Sequence, residues 1–123
     1  MSTQSSATSF DVARFCDAIE HREAATQVGM YADAAVVTIT DRINQPSAPR
    51  ILHGRHEVAA WLDDVCGRAM SHHVQHVVSD RRGAAFSEAC RYPDGTSVTC
   101  ATVMELEDGQ IVRQTVVQAW DEA

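Results

Sequence analysis

Phe86-Ser87-Glu88-Ala89-Cys90-Arg91-Tyr92-Pro93-Asp94-Gly95-Thr96-Ser97-Val98-Thr99-Cys100-Ala101-Thr102-Val103-Met104-Glu105-Leu106 alternates in polarity on both sides of a Pro-Asp-Gly turn. This pattern predicts a β-hairpin. Proline suits the first central position of a type I turn, and glycine takes the left-handed position after it. Pairing Tyr92 with Thr96 then fixes which side chains share a face. One face carries Phe86, Glu88, Cys90, Tyr92, Thr96, Val98, Cys100, Thr102, Met104 and Leu106. The other carries Ser87, Ala89, Arg91, Ser97, Thr99, Ala101, Val103 and Glu105. The first set is the more apolar and is expected to face the core. In this register Cys90 meets Val98, so no Cys90–Cys100 disulfide is expected.

Working outward, the strand-like texture covers 72–80, 84–92, 96–106 and 110–120. Upstream the periodicity is helical. Thr8 with Asp11 fits a capping box ahead of Val12, Phe15, Cys16 and Ile19, predicting a helix over about 9–20. A second short helix is expected from Arg22 to Tyr31, burying Ala24, Val28 and Tyr31 and ending near Ala32-Asp33-Ala34. Ala35–Thr40 is a β-rich run, Asn44–Pro49 a turn-forming segment, and Arg50–His53 a short strand. Gly54 opens a third helix with Val58, Trp61, Leu62, Val65 and Ala69 on one face. Helices first and antiparallel strands afterwards mean α+β. Residues 1–8 are expected to be a disordered tail and 9–123 a single domain.

The chain has 123 residues, 17 acidic and ten basic, for a net charge of −7. With 45% hydrophobic and 22% charged residues it reads as an ordinary globular protein. The acidic balance offers no footprint for nucleic acid, and anionic lipid would repel it. All ten basic residues are arginine. Without a lysine, Schiff-base catalysis, pyridoxal-phosphate anchoring and the phosphate-loop lysine are excluded. No apolar run approaches a membrane span, and Met1–Ser9 lacks the basic start and apolar run of a signal peptide. Cys16, Cys66, Cys90 and Cys100 are scattered, with no C-x-x-C pair. Reduced thiols in a cytoplasm are expected.

Several local motifs occur in a telling order. They are Phe15-Cys16-Asp17-Ala18-Ile19-Glu20-His21-Arg22-Glu23, Tyr31-Ala32-Asp33-Ala34-Ala35-Val36, Leu52-His53-Gly54-Arg55 with Trp61, Ser71-His72-His73-Val74, and Glu107-Asp108-Gly109-Gln110-Ile111-Val112. Over about residues 9–121 this order resembles the SnoaL-like branch of the nuclear transport factor 2-like superfamily, which includes ketosteroid isomerases and small polyketide cyclases. The resemblance implies helices packed on a curved, mostly antiparallel sheet, a cystatin-like roll with a conical pocket open at one end. It also implies a homodimer formed through the outer sheet face, whose Ser/Ala/Thr/Val composition suits that role. The isomerase base and its two oxyanion donors look to fall at Ile39, Phe15 and Thr102, so all three functional groups are missing. The Arg and Asp of the epoxide-hydrolase relatives look to fall at Cys90 and Tyr92. That chemistry is missing too.

The site must therefore be read from this chain's own residues. Glu88 sits on the apolar face, where burial would raise its pKa and make it a general acid or base; the structural alternative is an arginine partner. Asp41 shares the parity of Ile39 and could act from nearer the pocket mouth; its alternative is a solvated loop. His73 matches a histidine at the same strand start in many relatives, including the dehydratases, and stands evenly between catalytic and structural roles. His72 and His76 would lie roughly 13 Å apart along a strand, too far to share an ion. His56-Glu57 lacks the second histidine of the zinc-protease motif. No metal and no cofactor are expected. Tyr31, Trp61 and Tyr92 are candidate cavity walls, with plain core packing as the alternative. Gln118, alternating with Gln114, Val116 and Trp120, is a candidate substrate contact, alongside Phe15, Ile39 and Thr102. No nucleophile elbow or glycine-rich phosphate loop occurs, and the inner cysteines lack an evident electropositive setting. The reading is a cofactor-independent enzyme that isomerises, cyclises or dehydrates a hydrophobic, oxygenated small molecule by proton transfer. The alternative is a non-catalytic binding or assembly module using the same cavity or sheet.

Overall fold

The computed structural model describes residues 9–122. Helix α1 spans Val12–Glu20, α2 Ala24–Val28, strand β1 Tyr31–Thr40, β2 Arg50–His53, helix α3 Gly54–Gly67, and strands β3 Ser71–Ser79, β4 Gly83–Arg91, β5 Ser97–Glu107 and β6 Gln110–Trp120. The six strands form one sheet in the order β2-β1-β6-β5-β4-β3. Every neighbouring pair is antiparallel except β1 and β6. The fold is α+β, with the helices laid across one face of a curved, mostly antiparallel sheet. No helix among the described residues is long and apolar enough to cross a membrane.

The central hairpin has the expected register. Tyr92 N–H donates to Thr96 O at 2.9 Å, Gly95 has φ +94°, and Cys90 pairs with Val98. Along β5 burial alternates without a break, leaving Val98, Cys100, Thr102, Met104 and Leu106 inside. The main core joins Met104 and Leu106 to Phe15 and Ile19 of α1, Val58 and Leu62 of α3, and Val37 and Ile39 of β1, while Val98 and Cys100 form a second cluster with Cys90. All four cysteines are free thiols.

Two expectations are corrected. First, α1 is capped by Asp11 itself, whose Oδ1 accepts from Arg14 N–H at 3.0 Å; Thr8 and the expected tail lie outside the described residues. Phe10 packs against Phe15 with ring centroids 5.5 Å apart and the planes tilted, a hydrophobic staple that fixes the entry to the helix. Second, α2 stops at Val28, and Tyr31 begins β1 instead of closing a helix. Met30 O accepts from Ile111 N–H, so the parallel strand captures the chain there. The stretch between Tyr31 and Val36 bulges against β6, and Arg55 fastens it with two bonds to Tyr31 O at 3.0 and 2.6 Å. In addition, β6 carries a bulge opposite Glu105/Leu106, which sets its facing. Ile111 and Gln114 are therefore both buried despite their opposite parity.

Candidate active site

Strand registry stacks the inward side chains of the sheet in rows. Deepest lie Val37, Gln114, Met104 and Ala84; next come Ile39, Val116, Thr102 and Phe86; then Gln118, Cys100, Glu88 and Val74; and nearest the mouth Trp120, Val98, Cys90 and His72. Helices α1 and α3 close over these rows with Phe15, Ile19, Trp61, Leu62 and Val65, and the enclosed cavity opens past Arg68, Met70 and Tyr92. The cavity volume is about 80 Å³, room for a compact ligand only.

The wall is mostly apolar, and its charged groups are Glu88, His72 and Arg68. Arg68 is committed at the mouth, donating to Asp64 at 2.6 Å and to the Tyr92 hydroxyl at 3.0 Å. Glu88 and His72 face each other with side chains 13% and 6% exposed, His72 Nδ1 lying 3.4 Å from Glu88 Oε1. The same Nδ1 lies 3.3 Å from Cys90 Sγ, and that thiol donates to Glu88 Oε1 at 3.7 Å. The three groups form a closed triangle in which one imidazole N–H has two acceptors. The contact with Cys90, and after it that with Glu88, holds the His72 pKa up at about 9 against the cost of burial. Cys90 is held firmly as the neutral thiol by its contact with Cys100 and by burial. At neutral pH the pocket thus presents an imidazolium beside Glu88.

Deeper in, the Tyr31 hydroxyl donates to Gln114 Oε1, and burial keeps the phenol protonated. Higher up, Trp120 Nε1–H donates to Gln118 Oε1 at 2.9 Å.

Of the residues singled out from the sequence, Glu88, Tyr31, Trp61, Tyr92, Phe15, Thr102 and Gln118 all line the cavity. Ile39 lies in the buried core beneath it. His73 points the other way: it pairs with Ala89 on the outer face, its side chain is 71% exposed, and its Nδ1 lies 3.5 Å from Glu20. Asp41 is a turn former whose Oδ1 accepts from the Ile43 and Asn44 amides at 3.0 and 2.8 Å. The partner of Glu88 is a histidine, where an arginine was the structural alternative. That histidine is His72, the neighbour of His73, and it gives Cys90 a cationic neighbour. Parity held the missed signal. If β4 pairs with its upstream neighbour as it does with β5, the residue opposite Cys90 faces inward.

His72 Nδ1, a Glu88 oxygen and Cys90 Sγ lie within 4.8 Å of one another, a donor set that could hold a transition-metal ion. It differs from the His72/His76 pair weighed from the sequence. His76 sits at φ +53° in the β3 bulge and is exposed.

An apolar cone with one carboxylate–imidazole pair in its wall, built from a six-stranded sheet and covering helices, is the architecture of the nuclear transport factor 2-like class. Residues 12–114 match the SnoaL-like domain, and the chain belongs to that family. No curated protein matches it. Among solved structures it is similar to a provisionally named ketosteroid isomerase from Kribbella flavida, at 18% identity and TM-score 0.73 over 98% of this chain and 79% of that one. It is similar to a provisionally named polyketide cyclase from Sinorhizobium meliloti, at 18% identity and TM-score 0.65 over 85% and 91%. A third similar structure is SalBIII, described as an epoxide hydrolase/cyclase-like enzyme in pyran ring formation, at 17% identity and TM-score 0.67 over 89% and 87%. At these identities the likeness establishes the fold.

Proposed function

We propose that the chain is an acid–base enzyme that moves a proton at a carbon beside a carbonyl in a compact, hydrophobic, oxygenated molecule. Isomerisation, cyclisation and dehydration all begin with such a step. The observation that carries the reading is the Glu88–His72 pair, a largely buried carboxylate and imidazolium set in an apolar wall. Desolvated charge in a ligand-sized cavity is costly, and it is most readily understood as machinery for proton transfer. Glu88 takes the proton, and His72, 3.4 Å from its Oε1, holds the carboxyl group in place. Phe15, Trp61 and Tyr92 hold the substrate's apolar body.

The assay requires no knowledge of the natural substrate. In heavy water, the protein should accelerate exchange of the protons beside the carbonyl of 1-indanone, followed by proton magnetic resonance. Glu88→Gln keeps the shape but cannot exchange a proton. It should bind 1-indanone nearly as well while the exchange rate falls at least about a hundredfold. A chelator should leave the wild-type rate unchanged. Binding without any acceleration would overturn the enzyme reading in favour of a binding module. The rival has a specific observation behind it, because Phe15 and Thr102 line this cavity at the positions that resemble those of the isomerase donors.

A further inference from the structure

We infer that Gln118 reads the substrate's oxygen through its side-chain N–H, and that Trp120 is the positioning residue that aims it. This deepens the proton-transfer reading above and rests on it. An indole N–H can only donate, so the Gln118 atom it touches at 2.9 Å must be the amide oxygen. The amide nitrogen is thereby turned away from Trp120. Gln118 lines the cavity, and among the described residues its nitrogen has no protein acceptor. Trp120 is itself held still: the Arg42 guanidinium lies 4.2 Å over its ring, and Tyr92 stacks on it at 5.8 Å. Arg68 donates in turn to the Tyr92 hydroxyl at 3.0 Å. The donor is therefore preorganised before any ligand arrives.

Its place in the sheet gives it a role. Gln118 pairs with Cys100 and Cys100 with Glu88, so donor and base occupy one row with a single strand between them. Their backbones stand roughly 9–10 Å apart, two strand spacings, and their side chains rise from the same concave face. A carbonyl bound between them sets its oxygen toward Gln118 and its adjacent C–H toward Glu88. As the C–H bond breaks, the proton goes to the Glu88 carboxylate and the electron pair forms the new C=C. The carbonyl π pair moves onto oxygen, where the Gln118 N–H meets the growing charge. No further reactant is needed. The substrate class is a compact apolar ketone or related carbonyl compound, rather than a hydrocarbon or an anion.

The test compares 1-indanone with indane, which has the same ring frame and no oxygen. Wild-type protein should bind 1-indanone roughly three- to tenfold more tightly than indane, one hydrogen bond's worth. The carbonyl stretch of the bound ketone should be lowered from that of the ketone in hydrocarbon solvent. Gln118→Met conserves length but cannot donate. It should keep indane binding, lose the preference, return the stretch to the unbonded frequency and slow exchange about a hundredfold. Trp120→Phe leaves the amide in place but unaimed, and should broaden the stretch and place it between the two. If Gln118→Met binds and exchanges 1-indanone with preference and stretch unchanged, this role is overturned while the proton-transfer reading survives. If wild-type protein binds neither compound, the pocket reading fails and this inference fails with it.

Discussion

An imidazole with a thiol sulfur and a carboxylate on one nitrogen is stabilised as its cation, and His72 is such a group, held at about 9 from an ordinary 6.5. A raised folded-state pKa contributes stability that is fully present below the unfolded value and is lost as pH rises through the folded one. The window therefore opens near pH 6.5 and closes near 9. Burial also raises Cys16 to about 11, and the Cys100 contact and burial raise Cys90, so both thiols add their own losses above the ordinary thiol value of 9.0. Between pH 6.5 and 8.5 His72 dominates, because the other raised imidazole, His21 beside Asp17, is exposed and screened by solvent. Urea unfolding across that range should show wild-type stability falling with pH and His72→Gln nearly flat. The imidazole proton resonance of His72 should titrate lower in Glu88→Gln. Parallel slopes for wild type and His72→Gln would remove the cation from the account.

At the scale of elements, Tyr31 ties the start of β1 to β6 through Gln114, in the deepest polar contact of the cavity. Removing the hydroxyl leaves a buried amide oxygen without its donor, at a cost of about 1–3 kcal/mol. Tyr31→Phe should lower the urea midpoint accordingly with the slope unchanged. Tyr31→Phe combined with Gln114→Leu should cost less than the sum of the two single changes, because no partner is left stranded. Strict additivity would mean that the bond contributes nothing. The same residue marks where the sequence was opaque. Its helical spacing from Ala24 and Val28 was genuine, but a parallel partner eighty residues downstream decided its state, and no local pattern reports such a partner. The 84–106 hairpin was legible because turn and alternation agree within one short stretch, and Glu88 came with it. His72 was not, because a bulge at His76 breaks the parity of β3 between the two ends of its pairing with β4. Trp120 as the clamp on Gln118 required the bulge in β6 that sets which residues look inward.

For the whole molecule, the outer face of the sheet poses a different problem from the cavity. Val78, Ala85 and Val103 lie in one row across three strands, and Ala101 pairs with Val117 in the next. Val78 is 66% exposed, Val103 58% and Val117 49%. The neighbouring side chains include Ser87, Thr99 and Thr115, so the surface is small-grained and mostly uncharged until the Arg113–Glu105 ion pair at its margin. We propose that this face is an interface, as contiguous exposed apolar areas on small proteins commonly are. A second copy is the expected occupant, since a face without strong charge can pack on itself about a two-fold axis. Such a pairing is isologous, so a charge near the axis meets its own copy across it. Light scattering should give twice the 13.4 kDa of one chain for wild-type protein. Val117→Arg should bring it to a single copy while leaving 1-indanone binding intact, because Val117 and the cavity lie on opposite faces of the sheet. A wild-type mass of one chain across the micromolar range, or a Val117→Arg protein that stays paired, would rule this face out as the dimer surface.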